Sequence, residues 1–238
     1  AGIQHTDYVP QAGLWLAQWN GSHGEFCYGQ NFASSWGAFL TQFPTTDFRQ
    51  EAAYKANIGT DIRVANSLDF VADVFYQQRR NILVSAGSLN SAVVGIQSSY
   101  DDKGVVASYG AEMGLRYAKT FANGLNLNAT GFVTYAKNEI LEWIETPAYP
   151  NLSVIGTPAD AARGLVALGF FESQEDIDNW PEQTFGDVQP GDIKYKDING
   201  DGYVDQYDKV AIGYTAIPEI NYGFGVSLGY KGFDFSVF

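Results

Sequence analysis

Apolar and polar residues alternate strictly along much of the chain. Between residues 54 and 64, Tyr54, Ala56, Ile58, Ile62 and Val64 hold one parity, and Lys55, Asn57, Gly59, Asp61 and Arg63 hold the other. Successive side chains of a strand face opposite sides, so this run predicts a strand with one apolar and one polar face. The pattern returns at Leu68–Gln77, Tyr109–Ala118, Leu125–Ala136 and Tyr222–Tyr230, and a last strand begins at Phe233, Phe235 and Val237. Each strand reads as about ten residues, the length that crosses a bilayer at a tilt, whereas strands of soluble sheets average about five or six. Tyr109 and Tyr117, like Tyr222 and Tyr230, close the two ends of an apolar stripe, as the aromatic girdles of a membrane barrel do. Soluble sandwiches alternate too, but strand length and tyrosine placement favour an all-β fold, an antiparallel transmembrane β-barrel segment.

The connections alternate in length as well. Ala65-Asn66-Ser67, Ala122-Asn123-Gly124 and Lys231-Gly232 read as tight turns. Between them lie excursions of about 25 residues from Val84 to Ser108 and nearly 80 from Trp143 to Asn221. Short periplasmic turns and long extracellular loops fix an orientation. Residues 1–50 become an extracellular loop region, and residues 51–142 four transmembrane strands with one extracellular loop. Residues 143–221 form a long extracellular loop, and residues 222–238 a truncated hairpin. Six strands cannot close a membrane barrel, since about eight is the minimum, and an open edge cannot sit in lipid. The chain is therefore expected to be part of a larger barrel.

Composition narrows the classes further. A net charge of −13 argues against nucleic-acid binding through a basic face. No apolar run reaches the ~18 residues of a membrane helix. Ala1-Gly2-Ile3-Gln4-His5 does not read as a signal peptide. The single cysteine, Cys27, excludes an intramolecular disulfide and a Cys-based zinc site, and is expected to be a small packed residue.

Acidic residues crowd one segment: Glu172 to Asp208 holds eleven acids against two lysines, Lys194 and Lys196. Ser173-Gln-Glu-Asp176 predicts a capping box opening a short helix that Pro181 ends. The sharper motif is Asp197-Ile-Asn-Gly-Asp201-Gly202-Tyr-Val-Asp205-Gln-Tyr-Asp208. Its spacing is that of a calcium loop, with ligands at positions one, three, five, seven, nine and twelve and glycine at six. The candidate metal ligands are Asp197, Asn199, Asp201, the Tyr203 carbonyl, Asp205 and Asp208, with Val204 as an apolar anchor. The ion is Ca2+, in a structural role: four carboxylates in twelve residues repel one another unless a cation is present. The alternative is an Asp/Asn/Gly-rich turn without an ion. No base or nucleophile accompanies the motif, and no enzymatic activity is expected.

Other constellations carry less. His5 and His23 lie in no triad-like context. Glu139, Glu142 and Glu145 read as a solvated rim where a strand leaves the membrane. Arg79-Arg80 reads as a solvated pair, with lipopolysaccharide phosphates the sharper alternative. Trp15, Trp19 and Trp36 either pack a loop or stack on sugar rings. Tyr222–Gly229 fails the dinucleotide-binding spacing and belongs to a strand. The polar parity, including Lys55, Asn57, Asp61, Arg63, Glu112, Arg116, Asn126 and Asn128, is expected to line the lumen or touch whatever fills it.

Several stretches resemble one family. Gln189-Pro-Gly-Asp-Ile-Lys-Tyr-Lys-Asp-Ile-Asn-Gly-Asp-Gly202 resembles a signature of SusC/RagA-type TonB-dependent outer-membrane transporters, as does Asn221-Tyr-Gly-Phe-Gly through Tyr230-Lys-Gly-Phe-Asp-Phe-Ser-Val-Phe238. Phe170–Asp178 and Tyr54–Asp61 are similar to further segments, so the resemblance spans roughly 51–238 and is most specific at 189–238. It implies a 22-stranded barrel in the outer membrane of a Bacteroidota-like Gram-negative bacterium, filled by a plug domain. It also implies a SusD-like lipoprotein lid, energy from TonB through the plug, and oligosaccharide or peptide substrates. The plug and the TonB box fall outside the matched stretch, and no residue is carried over for them. The rival readings are a soluble calcium-dependent glycan-binding module and a secreted glycan-active enzyme, which needs a carboxylate pair the sequence does not offer.

Overall fold

Seven strands pair in chain order into one antiparallel sheet: β1 (Gly2–His5), β2 (Ala52–Val64), β3 (Leu68–Ser85), β4 (Tyr100–Thr120), β5 (Asn126–Glu142), β6 (Ile220–Tyr230) and β7 (Phe233–Val237). The structure, a computed structural model, describes residues 1–5, 16–20, 25–28, 33–36, 39–45, 49–86, 96 and 99–238. Trp15 and His23, and the side chains of Cys27 and Trp36, lie outside the described residues. Three expectations are revised. Gly2–His5 belongs to the sheet, paired with Ala52–Lys55, rather than to a loop region. The central strands run to 13, 18, 21 and 17 residues, well past the ten that a bilayer needs. The β3–β4 loop shrinks accordingly to the stretch between Ser85 and Tyr100.

All three tight turns lie at one end of the sheet. Ala65 (φ 50°) and Asn66 (φ 55°) both take the left-handed conformation, and the Ser67 N–H closes onto the Val64 carbonyl at 3.1 Å. That geometry is the mirror-image turn whose twist suits a two-residue hairpin. Lys231 (φ 48°) and Gly232 (φ 85°) repeat it between β6 and β7.

The register places the two parities on opposite faces, as the alternation requires. The apolar face exposes its large side chains: Ile58 is 82% exposed, Tyr222 74% and Phe224 67%. Its tyrosines descend in steps. Take the paired row Tyr54, Gln78, Ala107, Glu139 as reference. Tyr76 on β3 and Tyr109 on β4 lie two positions below it, Tyr135 on β5 four and Tyr222 on β6 six. A drop of about 1.5 residues per strand, at ~3.3 Å rise and ~4.8 Å strand spacing, corresponds to a strand tilt of roughly 45°. Tilted strands of a membrane barrel turn a level girdle into such a diagonal, because the girdle follows the membrane plane and not the hydrogen-bonded row. Tyr117 on β4 and Tyr230 on β6 mark the lower edge and descend in the same sense. From Tyr76 to Leu68, the partner of Tyr117, is about 26 Å along the strand at the usual rise, or about 19 Å of height at a 45° tilt, shorter than the ~25 Å apolar band of an outer-membrane barrel.

The buried residues gather above this band. Ala52, Ala53, Val84, Val105, Ala107 and Ile140 are buried on the parts of β2–β5 at and beyond the upper tyrosine diagonal. Beside them Asp102, 3% exposed, accepts from the Arg49 backbone N–H at 2.7 Å and from its guanidinium Nε at 2.9 Å and Nη2 at 3.2 Å. The excursion from 143 to 219 is a folded knob, not an open loop. It consists of two-stranded pairs (Arg163–Gly164 with Val210–Ala211, Ala167–Phe170 with Ile193–Tyr195, Glu182–Gln183 with Tyr203–Val204) and one short helix, α1 (Gln174–Asp178). The knob is tied to the sheet where the Ile140 N–H donates to the Thr157 carbonyl and the Gly156 N–H to the Ile140 carbonyl.

Ile58 projects from the apolar face midway between the two tyrosine diagonals, and its neighbour Asn57 projects from the other face. Ile58→Arg is expected to lower barrel stability by about 2–4 kcal/mol, the cost of a cation at the bilayer midplane, and Asn57→Arg by much less. Urea titration of the heat-modifiable folded band in lipid vesicles measures both, and equal effects would remove the assignment of faces.

Candidate functional site

Two regions concentrate chemistry: the polar face of the sheet and the acidic end of the knob. On the polar face, Arg63, Asp69, Arg116 and Thr130 form one row across β2–β5. Arg63 and Asp69 pair through both guanidinium and carboxylate arms, one contact being 3.1 Å from Nη2 to Oδ2. Four positions above, Gly59, Asp73, Glu112 and Thr134 form an acidic row. Higher still, Lys55 donates to Gln4 Oε1 at 2.6 Å and Arg79 pairs with Glu51 at 2.8 Å. Lys55, Asn57, Asp61, Arg63, Glu112, Arg116, Asn126 and Asn128 thus share one face, as the alternation predicts. A depression of about 750 Å³ lies at the Arg63 end, lined among others by Asp61, Arg63, Asp69, Arg116 and Phe132. Small residues keep this wall smooth: Phe132 lies across Gly223, where a Cβ would meet its ring at 2.6 Å.

The knob is built around its acidic end. Ser173 caps α1 by accepting from the Asp176 N–H at 3.2 Å, as the sequence predicts. The return arm of the capping box differs, since the Asp176 carboxylate takes the Glu172 N–H rather than that of Ser173. Lys194 is the organising cation. Its Nζ lies 3.9 Å from the Trp180 ring centroid and 5.6 Å from that of Phe171, and donates to Asp176 Oδ1 at 2.6 Å. This pairing holds the Asp176 carboxyl below its ordinary value of 3.8. Trp180 Nε1 donates to the Tyr195 carbonyl at 2.9 Å. Sequence reasoning missed this sandwich, because its members are scattered over residues 171–195. Glu145, read as solvated rim, instead accepts from the Ser153 hydroxyl and from the Val154 N–H at 2.8 Å.

The twelve-residue motif closes on itself. Asp197 accepts from the Gly200 N–H at 2.7 Å and the Gly202 N–H at 3.0 Å. Gly200 (φ 77°) and Gly202 (φ 89°) take the left-handed backbone that the bend demands. Asn199, Asp201 and Asp205 each accept from the N–H two residues on. Val204 is fully buried, in the anchoring place expected of it. Asp208 is the surprise. It too is fully buried, and its carboxylate takes N–H bonds from Ile198, Asn199 and Asp205 at 2.7, 3.2 and 2.8 Å. Asp205 and Asp208 cap the 3-10 turn Gln206–Asp208 reciprocally. Tyr149 stacks edge-on to Tyr207 at 5.6 Å, and its phenol is raised by desolvation and then by the nearby Asp201 and Asp205 charges. Among the described residues no three His, Cys, Asp or Glu side chains converge as a metal cluster. What the loop offers is a set of hard oxygens on a bent backbone, the donor chemistry that Ca2+ prefers.

No family model matches the chain. It is 26% identical over 200 residues to TonB-dependent receptor P26 of Formosa agariphila, covering 79% of this chain and 20% of that protein. It is 23% identical over 218 residues to TonB-dependent receptor P3 of the same organism, covering 85% of this chain and 21% of that protein. The chain thus spans about a fifth of the length of the curated relatives it matches. In fold it is similar to the RagAB peptide importer in its open-open state (TM-score 0.64, 14% identity) and in its closed-closed state (0.60, 15%). The alignments cover 98% of this chain and 24% and 25% of those chains. The resemblance to SusC/RagA-type TonB-dependent transporters is carried by the relatives in sequence and by the barrel in fold.

The buried Asp208 carboxylate is the hub of the motif. Asp208→Ala leaves three N–H groups without their acceptor and is expected to cost about 1–3 kcal/mol locally. Hydrogen exchange at the Ile198, Asn199 and Asp205 amides is then faster by ten- to a hundredfold or so, while the amides of β3 and β4 keep their protection. Unchanged exchange at those three amides would show that the carboxylate does not hold the loop.

Proposed function

We propose that this chain forms part of the wall and outer loops of a TonB-dependent importer of the SusC/RagA type, in the outer membrane of a Gram-negative bacterium of the Bacteroidota kind. The observation that carries the reading is the sheet itself. Its apolar face is bounded by two tyrosine diagonals at a membrane-barrel tilt, and its other face is lined with paired and unpaired charges. A polar face of this kind suits a hydrated lumen through which oligosaccharides or peptides pass. The relatives named TonB-dependent receptors and the fold of the peptide importer support import rather than catalysis. The partners that go with this reading are a SusD-like lipoprotein lid over the extracellular knob, TonB acting through a plug, and outer-membrane lipid against the apolar face.

The knob adds a metal to the proposal. Asp197, Asn199, Asp201, Tyr203 through its carbonyl, and Asp205 hold a structural Ca2+, with Asp208 at the twelfth position completing the loop from within. The ion supplies charge neutralisation: it draws together the Asp197, Asp201 and Asp205 carboxylates, which otherwise repel one another across the exposed surface of the loop.

Fractionation of native membranes tests the main reading. Peptides of this sequence are expected from an outer-membrane band several times heavier than 26.1 kDa that co-purifies with a surface lipoprotein. Recovery from a soluble band near 26.1 kDa would replace the importer by a calcium-dependent binding module. The metal is tested separately. Chelator is expected to expose residues 189–210 to protease in the wild type, and the double change Asp201→Ala, Asp205→Ala to give the same cleavage with or without chelator. Identical digestion of wild type in calcium and in chelator would remove the ion.

A further inference from the structure

The root of the knob is fixed by β5. The last contact of β6 with this strand is at Ala136, whose N–H donates to the Glu219 carbonyl at 2.8 Å. Alternate residues of a strand bond to the same neighbour, so Ile140 offers the same edge four residues higher. There the knob takes it: the Ile140 N–H donates to the Thr157 carbonyl at 2.9 Å, and the Gly156 N–H to the Ile140 carbonyl at 2.8 Å. The chain then turns onto the polar side of the sheet. Asn138 shares the parity of Lys55, Gln77 and Ser108. Its side chain accepts from the Ala159 N–H at 2.7 Å and donates to Asp160 Oδ1 at 3.3 Å. Ile140, of the same parity, is buried. The root thus lies above the face that carries Lys55, Asp73 and Glu112.

The knob holds ten of the chain's thirteen net negative charges, with fourteen acids against four bases between residues 143 and 219. The fold sorts them. Lys194 is turned inward between Trp180 and Phe171 and paired with Asp176. Arg163 spends its guanidinium on the Ser153 and Asn151 carbonyls at 3.0 and 2.7 Å. Only Lys196 and Lys209 are left exposed, whereas Glu172, Glu175, Asp178, Glu182, Asp187 and Asp201 all are. The polar face of the sheet mixes signs instead, through pairs such as Arg63–Asp69 and Arg79–Glu51. We infer that the knob is pinned over the lumen and acts as an electrostatic filter, admitting cationic and neutral solutes ahead of anionic ones. One-signed charge above a narrow, low-dielectric passage concentrates counter-ions and repels like charge, as acidic rings do in cation channels. A calcium ion in the acidic loop offsets two of the ten charges and leaves the sign unchanged. The filter rests on the importer reading, since it needs the polar face to enclose a lumen.

The test uses the full-length transporter that carries this chain, in right-side-out outer-membrane vesicles and in a background without other thiols. Thr134→Cys places a thiol on the polar face four residues below Asn138, and Val133→Cys places one on the apolar face beside it. A cationic and an anionic methanethiosulfonate report entry from outside by their reaction rates, each divided by its rate on a small free thiol. At Thr134→Cys the expected cation-to-anion ratio is about tenfold above one at low salt, and close to one in ~1 M salt, where the screening length falls to ~3 Å. Glu172→Gln, Glu175→Gln, Glu182→Gln and Asp187→Asn together lower the low-salt ratio about threefold or more. Asn138→Ala changes no charge and lowers it as well, because the root is released. The heat-induced band shift reports the folding of each variant. A ratio near one at low salt, or one that neutralisation leaves unmoved, overturns the filter. A ratio that Asn138→Ala leaves unmoved overturns the pin. Equal reaction of Val133→Cys and Thr134→Cys overturns the barrel reading instead.

Discussion

In the proposed outer-membrane barrel, backbone hydrogen bonding inside a bilayer governs this structure. Hydrocarbon offers no partner to an N–H or a carbonyl, so every group at that depth must find one in the protein. Between the two tyrosine diagonals the chain meets this demand with unbroken ladders across β2–β5, without a register shift from Leu68 to Arg79 on β3. The first irregularity, between Arg79 and Ile82, comes only above the girdle, where Asn81 takes a left-handed φ of 58° and donates to the Gln50 carbonyl. Irregular backbone begins where water can reach it. The same demand makes β1 and β7 unfinished as they stand: β1 covers only Ala52–Lys55 of β2, and the far side of β7 has no partner among the described residues. Further strands complete the ladder in the proposed barrel.

Packing and membrane crossing are therefore divided along the same strands. In the hydrocarbon band large side chains stand exposed on the outer face, where lipid replaces a core. Above it the strands continue, and Val84, Val105, Ala107 and Ile140 are buried there, with Asp102 and Arg49 as a polar latch. The excess strand length is what provides this platform. The knob rests on it through Ile140 and through Asn138, whose side chain accepts from the Ala159 N–H at 2.7 Å.

The membrane part was legible because period-two alternation survives wherever one face must be apolar. The residues assigned to the polar parity all lie on one face of the sheet, and the three tight turns fall at one end. Gly2–His5 was not legible: four residues offer too little alternation to register. The extracellular extensions were missed for a related reason, since above the girdle both faces can be apolar and the pattern fades, as at Ile82, Val84, Val105 and Val106. In the knob, local signals read true. Ser173 caps its helix and Val204 is buried, both set by neighbours within a few residues. The Lys194 sandwich and the Asp102 latch depend on contacts across 14 or more positions, and nothing in the local sequence announces them.

The inward turn of Asp208 explains its identity. At the last position of a calcium loop a glutamate usually reaches across to the ion. Here the segment Asp205–Asp208 tightens into a 3-10 turn, which brings the position-twelve backbone closer to the loop, so a side chain one methylene shorter suffices. From there the carboxylate gathers the amides of Ile198 and Asn199 from the start of the motif and that of Asp205 from its end. Those bonds tie the two ends of the motif together. Protein N–H groups offset the desolvation of Asp208, while the charges left to a cation are those of Asp197, Asp201 and Asp205, none of them buried. In the proposed calcium loop, an ion would draw these three carboxylates together on the bend that the Asp208 bonds also hold.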